Sequence, residues 1–190
     1  YTYMLADTRG RREHLMKSKC FRCHCRRCID STEDGTFLNA YRCLKCKGNY
    51  LLPEDMLDNK NCDWVCKECD NRVTQEKLKT WDDIISKASD ALPTKGDASQ
   101  ILADHEKFLA KYDKYLHPNN YHMLAVKEVL CQMYGRLPGL TMKQLSLTQL
   151  IRKEDLCRKV FAIVNLIEPE ISRIKGRYIY YTRCLYLLWF

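Results

Sequence analysis

Nine of the twelve cysteines in this 190-residue chain lie between residues 20 and 69: Cys20, Cys23, Cys25, Cys28, Cys43, Cys46, Cys62, Cys66 and Cys69. No other feature constrains the fold as tightly. Cysteines gathered this way mark a small module, not a disulfide framework spread over the whole length. The first 30 residues carry eight Lys/Arg and no apolar run of signal-peptide length, so they do not read as a secretory leader. The longest apolar stretch, 178–190, has 13 residues and includes Arg183, too short and too polar to cross a bilayer. A reducing compartment, cytoplasmic and/or nuclear, is therefore expected, and there CxxC pairs bind metal rather than form disulfides.

The strongest spacing is Cys43-x-x-Cys46 with Cys66-x-x-Cys69, 19 residues between the pairs. Each CxxC turn aims two sulfurs at one ion, and two such turns complete a tetrahedron, so these four residues read as a structural zinc site. Cys62 is a spare. The second group, Cys20-x-x-Cys23-x-Cys25-x-x-Cys28, packs four thiols into nine residues. Cys23, Cys25 and Cys28 make a compact three-ligand loop, and the fourth ligand is either Cys20 or a residue from elsewhere. His24 between two ligands points its ring away from the ion. His105 and His122 on helical faces read as structural. Neither group leaves a position open for a reactive water, so both zincs are structural.

Metal also changes the charge argument. The formal charge is +8, but a zinc held by four thiolates carries −2, so two such sites bring the chain to an ordinary +4. After residue 30 the basic residues interleave with acids, which argues against direct nucleic-acid binding. The Arg9–Arg12 run reads as a solvated helix face.

Composition divides the chain into a basic segment 1–30, a turn-rich, cysteine-rich segment 31–72 and a helical segment 73–190. Only 7 glycines favour helices over a turn-rich β-sandwich. Leu78, Trp81, Ile84, Ile85, Ala88 and Leu92 recur at helical spacing up to Pro93. Asp97 with Gln100 predicts a capping box ahead of Ile101, Leu102, His105, Phe108, Leu109, Tyr112 and Leu116. Tyr121, Leu124, Ala125, Val129 and Met133 form a third stripe, closed by Gly135 and Pro138. Leu147, Leu150, Ile151, Cys157, Val160, Phe161, Val164 and Ile167 form a fourth. A fifth begins near Ser172 with Ile174, Tyr178, Tyr181, Leu185 and Leu188. The fold class is thus mainly α: small zinc modules, then antiparallel helical hairpins in a bundle or a solenoid stack.

The first 28 residues, YTYMLADTRGRREHLMKSKCFRCHCRRC, resemble a segment of the SMYD family of SET- and MYND-domain protein-lysine methyltransferases. There the end of the SET domain runs into a post-SET zinc loop, with a Tyr, a Leu four residues on, a basic pair and Cys-Phe-x-Cys-x-Cys-x-x-Cys. Tyr1, Leu5, Arg11, Arg12, Leu15, Cys20, Phe21, Cys23, Cys25 and Cys28 match in register. Residues 32–69 resemble an extra zinc insert of the family's arthropod branch, and HPNNYHMLAVKEVLCQMYG resembles its TPR-like C-terminal helical domain.

The resemblance implies an S-adenosylmethionine-dependent methyltransferase acting on lysine-bearing proteins or peptides, histone or not. It places Tyr1 (or Tyr3, if the register slips by two) beside the lysine channel, where a phenol orients the amine for in-line transfer. It sets Phe21 against the cofactor's adenine. The family's fourth loop ligand comes from an Asn-His-x-Cys motif, which this sequence lacks, as it lacks the Gly-x-Gly cofactor loop and the MYND finger. The expectation is a C-terminal part of such an enzyme, inactive alone, with no membrane partner. The rival expectation is a non-enzymatic zinc and helical-repeat module that binds peptides in a groove.

Overall fold

A computed structural model describes residues 3–57 and 62–186. Seven helices in this range hold about half of the chain, with a small sheet between the second and third. Two compact units divide it: Tyr1–Asp90 with Lys111–Met123, and Ala91–Ala110 with Leu124–Phe190.

In the first unit, α1 (Thr8–Lys19) starts where the Asp7 carboxylate accepts the Gly10 amide at 2.9 Å. Lys17 and Lys19 sit in its last turn, favourably placed against the negative end of the helix dipole. It ends at Cys20, which takes the left-handed conformation at φ 55°. The single turn α2 (Arg26–Ile29) follows.

Next come β1 (Tyr41–Arg42), β2 (Tyr50–Pro53), β3 (Trp64–Cys66) and β4 (Arg72–Val73), an antiparallel sheet in the order 1-2-3-4. Tyr41 faces Leu51, Leu51 faces Cys66, and Trp64 faces Val73. These residues are all buried and form one face of the sheet against the core. The sequence reading anticipated turns here but no sheet. Strands of two to four residues with cysteines at their ends are too short to display an alternating pattern.

Helix α3 (Gln75–Asp90) lays Leu78 and Ile85 into this core, while Ile84, counted on its apolar stripe, stays 57% exposed. One aspartate on α3 organises the unit. Asp82 Oδ1 accepts the Tyr41 hydroxyl at 2.6 Å and the Tyr121 hydroxyl at 2.8 Å, and lies 3.0 Å from His122 Nε2. Its Oδ2 takes Arg9. Segment 115–121 packs along the opposite edge: the Arg42 amide donates to the Tyr115 carbonyl at 2.8 Å and the Tyr121 amide to the Leu38 carbonyl at 2.8 Å.

The second unit contains most of α4 (Ala98–Tyr112) and α5 (Tyr121–Met133), with α6 (Leu147–Ile167) and α7 (Arg173–Tyr186). Asp97 caps α4 through the Gln100 amide at 2.8 Å, but the Gln100 side chain turns to Asp104, so the expected capping box is half made. A full capping box opens α6 instead, between Ser146 and Gln149. In this unit the predicted stripes need correcting on two helices. On α5, Ala125 and Val129 are exposed, and Leu124, Val126, Leu130 and Cys131 are buried. On α6, Leu147 and Ile151 are exposed, and Leu156, Val160, Ile163 and Val164 fill the core. Two buried polar groups here find partners: Tyr178 donates to Glu128 at 2.6 Å, and Lys153 donates to the Cys131 carbonyl at 2.8 Å. The predicted positions Leu185 and Leu188 fall outside the residues whose side chains are described. No helix among the described residues is long and apolar enough to cross a membrane.

Candidate metal centres

Two copies of one turn build the first centre. β1 delivers Cys43, whose amide donates to the Asn49 carbonyl at 2.9 Å while the Lys47 amide returns to the Cys43 carbonyl at 3.0 Å. β3 delivers Cys66, whose amide donates to the Asn71 carbonyl at 3.0 Å while the Asp70 amide returns to the Cys66 carbonyl at 2.9 Å. The residue after each second cysteine, Lys47 or Asp70, takes a left-handed conformation at φ 58° or 52°. A non-glycine residue there costs energy, which the hydrogen bonds of the closed turn offset.

Because β2 separates β1 from β3, the two turns converge at one end of the sheet. Cys43 Sγ lies 3.5 Å from Cys69 Sγ and Cys46 Sγ lies 3.7 Å from Cys66 Sγ, and all four sulfurs are within 4.8 Å of one another. A tetrahedral zinc with bonds of about 2.3 Å requires sulfurs about 3.8 Å apart, so the cage needs little adjustment to close. The described cysteines are all free thiols. An all-sulfur tetrahedral donor set selects zinc over calcium or magnesium.

The thiols do not titrate alike. Burial pushes Cys43 up, but the amides of Cys46 and Lys45 and the thiols of Cys69 and Cys46 outweigh it and bring it down to about 6. Cys69 accepts from the Asn71 amide, yet partial desolvation and its thiol neighbours push it up to about 12. Burial also raises Cys66. Four crowded sulfurs cannot all ionise without a cation, and a divalent ion removes that conflict.

The second group follows α1. Cys23, Cys25 and Cys28 bring their sulfurs within 4.8 Å of one another. Cys20 caps α1 and is not gathered with them, and among the described residues no fourth side chain joins the three. His24 is exposed and outside the group. What holds this loop is the basic pair, which the sequence reading took for a solvated face. Arg11 and Arg12 are 6% and 3% exposed. Arg12 donates to the Cys23 carbonyl at 2.9 Å and the Cys28 carbonyl at 3.0 Å. Arg11 reaches Cys28 Sγ at 3.4 Å and pairs with the fully buried Glu33 at 2.8 Å. Burial works against the Cys25 thiolate, but the Cys28 amide, the neighbouring thiols and Arg11 bring Cys25 below the usual thiol range. Three sulfurs beside buried guanidinium groups suit a thiophilic cation that completes its shell with one further ligand.

The other expected site residues are placed less fully. Phe21 lies beside this loop and is 49% exposed. Tyr1 lies outside the described residues, and Tyr3 is 55% exposed. His105 and His122 play structural parts, against the Ile101 carbonyl and Asp82. Sequence reasoning missed Glu33 and Asp82, the two buried acids that tie α1 to its surroundings. A signal existed for neither, since both partnerships link residues far apart in the chain.

No protein-family model matches the chain. Isoforms A and B of the SET domain-containing protein SmydA-8 from Drosophila melanogaster are each 34% identical to it over 85 residues, 44% of this chain and 18% of the relative. The match thus spans less than a fifth of each relative's length. Over that stretch the chain is similar to these SET domain-containing proteins.

Proposed function

We propose that this chain is the C-terminal part of an S-adenosylmethionine-dependent, SET-type protein-lysine methyltransferase. It comprises the end of the SET domain and the post-SET loop over 1–30, a zinc insert over 31–72, and a TPR-like helical domain from 73 onward. One observation carries the reading: three thiols gather directly behind α1, in the segment whose pattern resembles the family. The relationship to SmydA-8 supports it.

In this reading both cysteine groups hold structural zinc, and the helical domain walls one side of the cleft for a lysine-bearing protein in the cytoplasm or nucleus. The cofactor would supply the methyl group. Of the residues that would meet it, Phe21 is the one described, and its half-exposed ring is free to stack on an adenine. One ring does not make a nucleotide site, so no transfer step follows from this chain alone.

Two titrations test the proposal. The 190-residue chain, titrated with S-adenosylmethionine in a calorimeter, gives no heat of binding. A longer protein that carries this chain at its C-terminal end binds the cofactor and moves a labelled methyl group to lysine. Micromolar binding by the short chain overturns the assignment as a part. Absence of cofactor binding by the longer protein overturns the methyltransferase reading.

A further inference from the structure

β1 and the Cys43–Cys46 knuckle that follows it, α3, and the residues at and just after the end of α4 border a groove of ≈ 320 Å³. This is the low end of ordinary ligand pockets, roughly 300–1,000 Å³, with room for one or two side chains. Trp81, Ile84, Leu44 and Tyr115 line it. Ile84 is 57% exposed, Leu44 47% and Tyr115 39%, so three large apolar side chains on one concave surface meet water. Apolar surface concentrated in this way marks a site of interaction.

The rim is basic. Arg42 and Lys111 belong to the groove itself, and a neighbouring hollow brings Lys47 and Lys114. Among the described residues that line either hollow, the one acid is Asp113, held by Arg42 at 3.6 Å. Lys111 and Lys114 sit 5.0 Å over the rings of Tyr112 and Tyr115, which keeps their charges close to the apolar floor. Together with Lys45 in the knuckle, these cations outnumber Asp113 even after the −2 of a zinc-loaded four-thiolate centre.

We propose that this groove docks a short acidic segment of another protein, seating one bulky aliphatic or aromatic side chain with carboxylates on either side. Charge complementarity selects this occupant. A second copy of the chain would set two basic rims face to face across a two-fold axis, an unfavourable juxtaposition. A concave site receives an inserted side chain and offers no protruding apolar element to a bilayer.

The test uses the whole chain and a fluorescein-labelled hexapeptide with a Leu-Phe centre and two glutamates on each side, followed by anisotropy. The expected dissociation constant is on the order of 10 µM, rising several-fold as salt shortens the screening length. Ile84→Glu abolishes binding and Lys111→Glu weakens it about tenfold. Ile151→Glu, at an exposed position of the second unit, changes nothing. All three substitutions are at exposed positions, and matching circular dichroism confirms that the variants fold. Four results overturn the proposal: no binding by the wild type; equal binding of a peptide with lysines for glutamates; a chain dimer that Ile84→Glu dissociates; or Ile84-dependent uptake by phosphatidylserine vesicles.

Discussion

Replacing Asp82 with alanine strikes the point where α1, β1, α3 and the start of α5 are tied together. The carboxylate is 5% exposed and meets four groups: Tyr41, Tyr121, His122 and Arg9. Arg9 keeps a third of its side chain in water and Tyr121 is half-buried, so both recover part of their solvation. Tyr41 is 3% exposed and cannot. An orphaned buried hydroxyl costs about 1–3 kcal/mol, and breaking one side of a buried charged network costs about 3–5 kcal/mol in all. Asp82→Ala is therefore expected to lose about 3–4 kcal/mol in urea titrations followed by circular dichroism. Asp82→Asn keeps an acceptor for the tyrosines and loses about half as much.

The pH dependence gives a second readout. Burial alone would raise Asp82, but His122, Arg9 and Tyr41 hold it far below the usual carboxylate range. An acid with a depressed folded pKa stabilises the fold above its unfolded value of about 3.9, and that contribution drains away as pH falls toward the folded value. The wild type should lose stability below about pH 4 more steeply than Asp82→Asn. Because Tyr41 leads straight into Cys43, Asp82→Ala should also speed zinc release to a chromogenic chelator. A loss under about 1 kcal/mol with unchanged acid sensitivity would refute the reasoning.

Asp7 runs the other way: burial, opposed by Arg9, raises its carboxyl to about 6, so stability falls as pH rises from about 4 to 6. Asp7→Asn keeps the helix cap and should flatten that decline, with a gain on the order of 2 kcal/mol at pH 7 in the same titration. Chelating the metal should shift Trp64 emission to the red with little change in helical signal. Trp64 lies two residues before Cys66 and is 8% exposed, and its indole donates to Gln75 at 2.8 Å. The small sheet has too little core to survive the loss of a site worth roughly 10 kcal/mol or more. Gly135→Ala should lower the melting temperature by several degrees, since φ is 96° there and an added Cβ would lie 2.5 Å from Met142 Sδ.

The parts legible in the sequence were those written over short distances. The spacing of Cys43, Cys46, Cys66 and Cys69 specified a cage because each turn is local, and the structure brings the four sulfurs together. Pro93, Asp97 and Pro169 bounded helices for the same reason. Burial of Arg11 and Arg12 was not legible, because carbonyls 11 to 44 residues away and Glu33 create their pockets. The α5 stripe misled because Lys127 and Glu128 lie on its buried surface, at 7% and 9% exposure. A reading by hydrophobic period counts such residues as solvent-facing.

The central claim is that thiolate-bound zinc organises this chain, and X-ray absorption at the zinc edge of the purified 190-residue protein tests it most directly. The account predicts an all-sulfur shell at about 2.3 Å for the first centre. It predicts that Cys66→Ser empties that centre while a second zinc remains, and that Cys25→Ser removes only the second. A wild-type protein without zinc, or one whose zinc shell is mainly nitrogen and oxygen and survives Cys66→Ser, would contradict it.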